Sequence, residues 1–79
     1  MAEFVPDKII NCTGLSCPEP ILQTTLTIKK MAAGEILLMS ATDPVSTNDM
    51  RVWSNRSGHK ILKEEKEGGT YKFYVQKTT

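Results

Sequence analysis

From Tyr71 onward the chain alternates, with Tyr71, Phe73 and Val75 set against Lys72, Tyr74 and Gln76. A period of two belongs to a strand with one covered face and one wet face. The Glu67-Gly68-Gly69 run just before it reads as a tight turn, so Lys60 to Glu65 becomes the other arm of a hairpin. A sheet wet on one side must take all its cover from the other side, which places every helix of the chain in one layer. With 79 residues there is room for one core shared by one sheet and two helices, and none for a second domain.

The rest of the chain supplies those parts. Ile9 and Ile10 mark a short strand over Lys8 to Asn11, closed by Thr13-Gly14. From Pro18 to Ala33, the residues Ile21, Leu22, Leu26, Ile28, Met31 and Ala32 form one broad apolar side of a helix, with Gly34 as its expected C-cap. Glu35 to Ala41 is apolar on both faces and reads as a central strand. Asp43-Pro44 then opens a second helix with Val45, Met50, Val52 and Trp53, ending near Gly58. The expected fold class is α+β: a two-layer βαβαββ sandwich with two helices packed on one face of a mixed four-stranded sheet. It forms a single domain over residues 8–77, behind a flexible lead-in at residues 1–7.

Chemistry concentrates in Gly14-Leu15-Ser16-Cys17-Pro18-Glu19-Pro20. Proline is favoured at the first helical position, so Pro18 makes Cys17 the expected N-cap. A thiol there sits at the positive end of the helix dipole, which favours the thiolate. Two features moderate the effect. Pro18 and Pro20 remove amide donors, leaving mainly those of Glu19 and Ile21, and the Glu19 carboxylate adds a like charge. The prolines also stiffen the approach to the helix, so the expectation is a presented, modestly activated nucleophile.

Other candidates have plainer readings. Cys12 fits core or loop filling, because its spacing from Cys17 and from His59, the only histidine, matches no common zinc pattern; no metal or cofactor is expected. The position three after Cys17 is Pro20, which excludes a CxxC redox pair. His59 follows Gly58 at a helix-to-strand junction and reads as cap chemistry rather than a catalytic base, and Trp53 reads as a core or lid residue. Arg51, Arg56 and Lys60 fit a solvated face better than a docking patch. Ten basic and nine acidic residues give a net charge of +1, so the chain lacks the basic stripe of a nucleic-acid binder. No apolar run reaches membrane-spanning length, and a cytoplasmic monomer is expected.

The run Gly14 to Pro20 resembles the GLxCPxP signature of the TusA/SirA family of small sulfur carriers. Ala41-Thr42-Asp43-Pro44, Trp53 and Gly58-His59 resemble its later landmarks in the same order. One departure is Asn11, where the family usually carries Asp. The resemblance implies a βαβαββ sandwich whose motif cysteine, here Cys17, takes sulfane sulfur as a persulfide from a donor protein and passes it to an acceptor protein. Gly14, Leu15, Pro18, Glu19 and Pro20 are then the supporting motif residues. A nucleophile without a base, oxyanion site or substrate cavity suits a carrier whose partners complete the chemistry, rather than a self-sufficient enzyme. Two alternatives remain open: a regulatory or RNA-binding module presenting Tyr71, Phe73 or Tyr74 to bases, and a thiol redox sensor using Cys12 and Cys17.

Overall fold

Alternation in the strands and a 3.6-residue period in the helices sort the apolar side chains into one layer between sheet and helices. The computed structural model describes residues 5–16 and 18–78. Its elements run β1 (Lys8–Cys12), α1 (Glu19–Lys29), β2 (Ile36–Ala41), α2 (Ser46–Ser57), β3 (Lys60–Glu67) and β4 (Thr70–Gln76). The strand order is β1-β2-β4-β3, with β1 parallel to β2 and β4 antiparallel to both of its neighbours. This is the mixed four-stranded α+β sandwich that the alternation implies.

Register places Ile10 and Cys12 of β1, Leu37, Met39 and Ala41 of β2, and Phe73 and Val75 of β4 on the helix-covered face. Together with Ile28, Met31 and Met50, all of these but the partly buried Ile10 form the buried core. Each large apolar side chain so buried contributes about 1.5–3 kcal/mol. The other face carries Ile9, Leu38 and Tyr74 in one row and Asn11, Ser40 and Lys72 in the next. The β3–β4 turn is made by Gly68 and Gly69, both at positive φ (55° and 85°), the geometry that matches strand twist in a two-residue hairpin.

Several expectations change. α1 ends at Lys29, not Ala33, because Lys30 and Met31 close a tight last turn onto Thr27 and Ile28, and Met31 drops into the core. Gly34 is therefore not the helix C-cap. At φ 92° it completes a turn in which the Glu35 N–H donates to the Ala32 carbonyl and the Ala32 N–H donates to the Glu35 carboxylate, and the Gly34 N–H donates to the Lys77 carbonyl at 2.7 Å. The buried stripe of α1 is Pro20, Thr24 and Ile28, while Leu22 and Leu26 are about half exposed. Thr24 can be buried because its hydroxyl donates to the Pro20 carbonyl at 2.8 Å. Gly58 does end α2, at φ 84°, with its N–H on the Ser54 carbonyl. At the other end of that helix the cap position is Val45, and Asp43 acts two residues upstream, accepting the Val45 and Ser46 amides.

The lead-in expected to be flexible is fastened at Asp7, whose N–H donates to the Ile36 carbonyl and whose carboxylate accepts the Ile36 amide. The first four residues lie outside the described part of the chain.

Candidate functional site

The motif segment leaves the end of β1 through a turn of a particular chemistry. Asn11 Oδ1 accepts both the amide and the hydroxyl of Thr13, at 2.9 and 2.6 Å, and Leu15 N–H closes back on the Cys12 carbonyl at 3.2 Å. The carboxamide at position 11 thus performs the local turn chemistry that an aspartate would perform. Gly14 sits at φ 82°, a region that costs a residue with a Cβ about 1–2 kcal/mol, although the space beside it is open. Its N–H donates to Thr42 Oγ1 at 2.9 Å, which ties the motif to the loop between β2 and α2. Leu15 is half-buried and packs against the core, so the loop is anchored on one side and tethered on the other.

Beyond that anchor the chain turns outward. Ser16, Pro18 and Glu19 are exposed and Pro20 is buried. Cys17 itself lies outside the described residues. The structure places Pro18 at the N-cap of α1 (φ −97°, ψ 14°), one residue later than expected for Cys17. Pro20 is then the proline of the first helical turn. The shift has a cause: Glu19 N–H donates to the Ser16 carbonyl at 2.9 Å, adding a tight turn ahead of the helix. That amide, expected to be free for an anion, is therefore engaged.

Pro18 also lines an open groove of about 530 Å³ between the helices, with Ile21 and Thr25 on α1 and Asp49, Trp53 and Arg56 on α2. Trp53 is half-buried and fixed across it, its Nε1–H donating to Thr25 Oγ1 at 3.1 Å. Neither the Thr25–Trp53 bond nor the Gly14–Thr42 tether has a signal in sequence spacing, since each joins residues 28 apart.

His59 does not join the motif. It begins where β3, β4 and β2 meet at Lys60, Gln76 and Ile36, whereas the motif leaves the opposite end, at Cys12 beside Ala41. A six-residue strand separates the two ends by roughly 17 Å. Its Nδ1 accepts the Thr78 amide, its carbonyl accepts the Ser54 hydroxyl, and its ring lies 5.6 Å from that of Trp53. Burial first, and then the charge of Lys77, hold its pKa below the ordinary 6.5.

Cys12 is buried at 1% exposure, and desolvation pushes its thiol pKa upward. It therefore serves packing, and a redox pair using it would need that thiol uncovered. Of the three cations Arg51, Arg56 and Lys60, the structure brings Arg51 and Lys60 to one cleft and sets Arg56 apart from them. Arg51 is paired with Glu64 through two bonds of 3.1 and 2.9 Å, while Arg56 lines the interhelix groove. Phe73 and Tyr71 share the helix-covered face, which leaves only Tyr74 on the open face that base stacking would need. Among the described residues no cluster of three His, Cys, Asp or Glu side chains could hold a metal, and no helix is long and apolar enough to cross a membrane.

The fold and the braced loop between β1 and α1 define a small two-layer α+β sandwich, and comparison with known proteins places it in a family. The family model described as sulfurtransferase TusA matches residues 8–77, and the chain belongs to this family. It is 39% identical over 77 residues to the sulfur carrier protein TusA of Pseudomonas putida strain W619, covering 98% of this chain and 96% of that one. It is 35% identical over 78 residues to the sulfur carrier protein TusA of Allochromatium vinosum, covering 99% and 100%. The crystal structure of a SirA-like protein from Desulfitobacterium hafniense superposes with a TM-score of 0.79 at 16% identity, over 91% of this chain and 99% of that one, and shows the same fold.

Proposed function

We propose that this sulfur carrier works through Cys17, which takes sulfane sulfur as a persulfide and hands it to a second protein. The Cys17 thiolate attacks the outer sulfur of a donor persulfide. The donor's S–S bond breaks as the new one forms, and the donor leaves as a thiolate while Cys17 holds the persulfide. An acceptor thiolate then attacks that outer sulfur and Cys17 leaves in turn, so each step exchanges one S–S bond for another with no net oxidation. The donor is a protein that itself carries a persulfide, of the cysteine desulfurase or rhodanese kind.

The observation that carries this reading is the exposure of Ser16, Pro18 and Glu19 where a loop fastened at Gly14 and Leu15 enters α1. Transfer between two proteins needs their sulfur atoms nearly in contact, so a carrier benefits from a protruding segment with a defined direction. The supporting roles follow: Gly14 turns the chain, Leu15 anchors it, Pro18 and Pro20 stiffen it, and Glu19 sets local charge. The carrier acts in the cytoplasm as a monomer, without a cofactor of its own. The test is intact mass after incubation with a rhodanese and thiosulfate. Wild type gains one sulfur that dithiothreitol removes, and Cys17→Ser gains none; equal loading of the variant would overturn the assignment.

A further inference from the structure

The two edges of the sheet are built differently. β3, at one edge, is charged at six of its eight positions, and its register to β4 breaks between Ile61 and Lys63. Charge and a bulge both discourage the addition of another strand. β1, at the other edge, has an unbroken register to β2, a single charge at Lys8, and Ile9 standing 68% exposed. Its outward backbone groups face no strand among the described residues.

Beside this unguarded edge is a cleft of about 390 Å³ between β1 and α1. Ile9 and Ile10 form its strand wall and Leu26 overhangs it from the helix. Lys8 and Lys30 stand at the end where β1 begins and α1 finishes. Every charged side chain lining it is a cation. We propose that the cleft docks an extended acidic segment of a partner protein, which adds a fifth strand along β1. Its backbone would meet the free groups of β1, its alternate apolar side chains would meet Ile10 and Leu26, and its carboxylates would meet Lys8 and Lys30. A second copy pairing through its own β1 would bring Lys8 and Lys30 again, and the carboxylate beside that strand, Asp7, is already engaged by the Ile36 amide, so charge selects a different protein. The site makes no use of Cys17 and goes beyond the carrier reading.

The test titrates isotope-labelled full-length protein, wild type and Cys17→Ser, with a synthetic decapeptide of alternating Val and Glu, and with its Val/Lys counterpart. The expected result is amide shifts and slowed hydrogen exchange along Lys8–Cys12 and the Leu26–Lys30 flank, alike in both proteins, with the Val/Lys peptide at least tenfold weaker. Lys8→Glu/Lys30→Glu, checked for a dispersed amide spectrum, should reverse the preference. Absence of shifts at millimolar peptide, equal response to both peptides, or shifts confined to β3 or the interhelix groove would overturn the proposal. Concentration-dependent shifts of β1 without any peptide would also overturn it, by making a second copy the occupant.

Discussion

The amide of Gly14 donates to the side chain of Thr42 across 2.9 Å, and through that bond the loop after β1 is held by the loop after β2. Both loops leave the same end of a parallel strand pair, where Cys12 lies beside Ala41. The helix that follows each loop runs back over the sheet, so the motif is braced at the rim of both βα units.

Removing the brace should separate folding from transfer. Thr42→Val should cost about 1 kcal/mol in thermal or urea unfolding, the usual value of one hydrogen bond. Alkylation of Cys17 by a small reagent should be unaltered, while protein-to-protein sulfur transfer slows. Gly14→Ala should cost about 1–2 kcal/mol through its positive φ and slow transfer in the same way. Unchanged transfer rates in both variants would show that the brace serves stability alone.

Local charge at the motif should be visible in titration. Glu19→Gln removes a carboxylate two residues from Cys17 and should lower the thiol pKa, raising the alkylation rate below that pKa. Measuring alkylation against pH on folded protein checks it, and an unmoved profile would refute the electrostatic account.

Cys12 makes the opposite prediction. Cys12→Ala should retain sulfur loading and lose about 1 kcal/mol of stability by leaving a small void. Burial raises its folded pKa above the ordinary 9.0, so its contribution is full below that value and is lost as pH rises toward the folded pKa. The alkaline fall in wild-type stability above pH 9 should therefore be shallower in Cys12→Ala.

His59 acts at the acid side. Its folded pKa lies below 6.5, so its contribution is full above that value and is lost as pH falls through the folded pKa. The chemistry agrees, because a protonated Nδ1 cannot accept the Thr78 amide. Urea melts between pH 7 and pH 4 should show a smaller loss in His59→Ala than in wild type, with sulfur loading intact in both at neutral pH.

The architecture was legible because its signals are local. Alternation at Tyr71 to Gln76 assigned the covered face, and Gly58 and the Gly68-Gly69 pair marked a helix end and a hairpin. The family was legible for the same reason, because the resemblance rests first on seven adjacent residues. The facing of α1 was not legible. Periodicity draws a stripe without fixing its centre, and burying Thr24 while exposing Leu22 and Leu26 depends on a hydroxyl finding the Pro20 carbonyl. The bulge between Ile61 and Lys63 and the tethers Gly14–Thr42 and Thr25–Trp53 arise only once distant segments meet.

The most direct measurement of the central claim follows radiolabelled sulfane sulfur from a rhodanese donor onto the carrier and then onto an acceptor thiol. Wild type should take up nearly one labelled sulfur per chain, located on Cys17 by peptide mapping, and release it to the acceptor; Cys12→Ala should do the same and Cys17→Ser neither. Label that is retained by Cys17→Ser, or that maps to Cys12, would contradict a relay through Cys17.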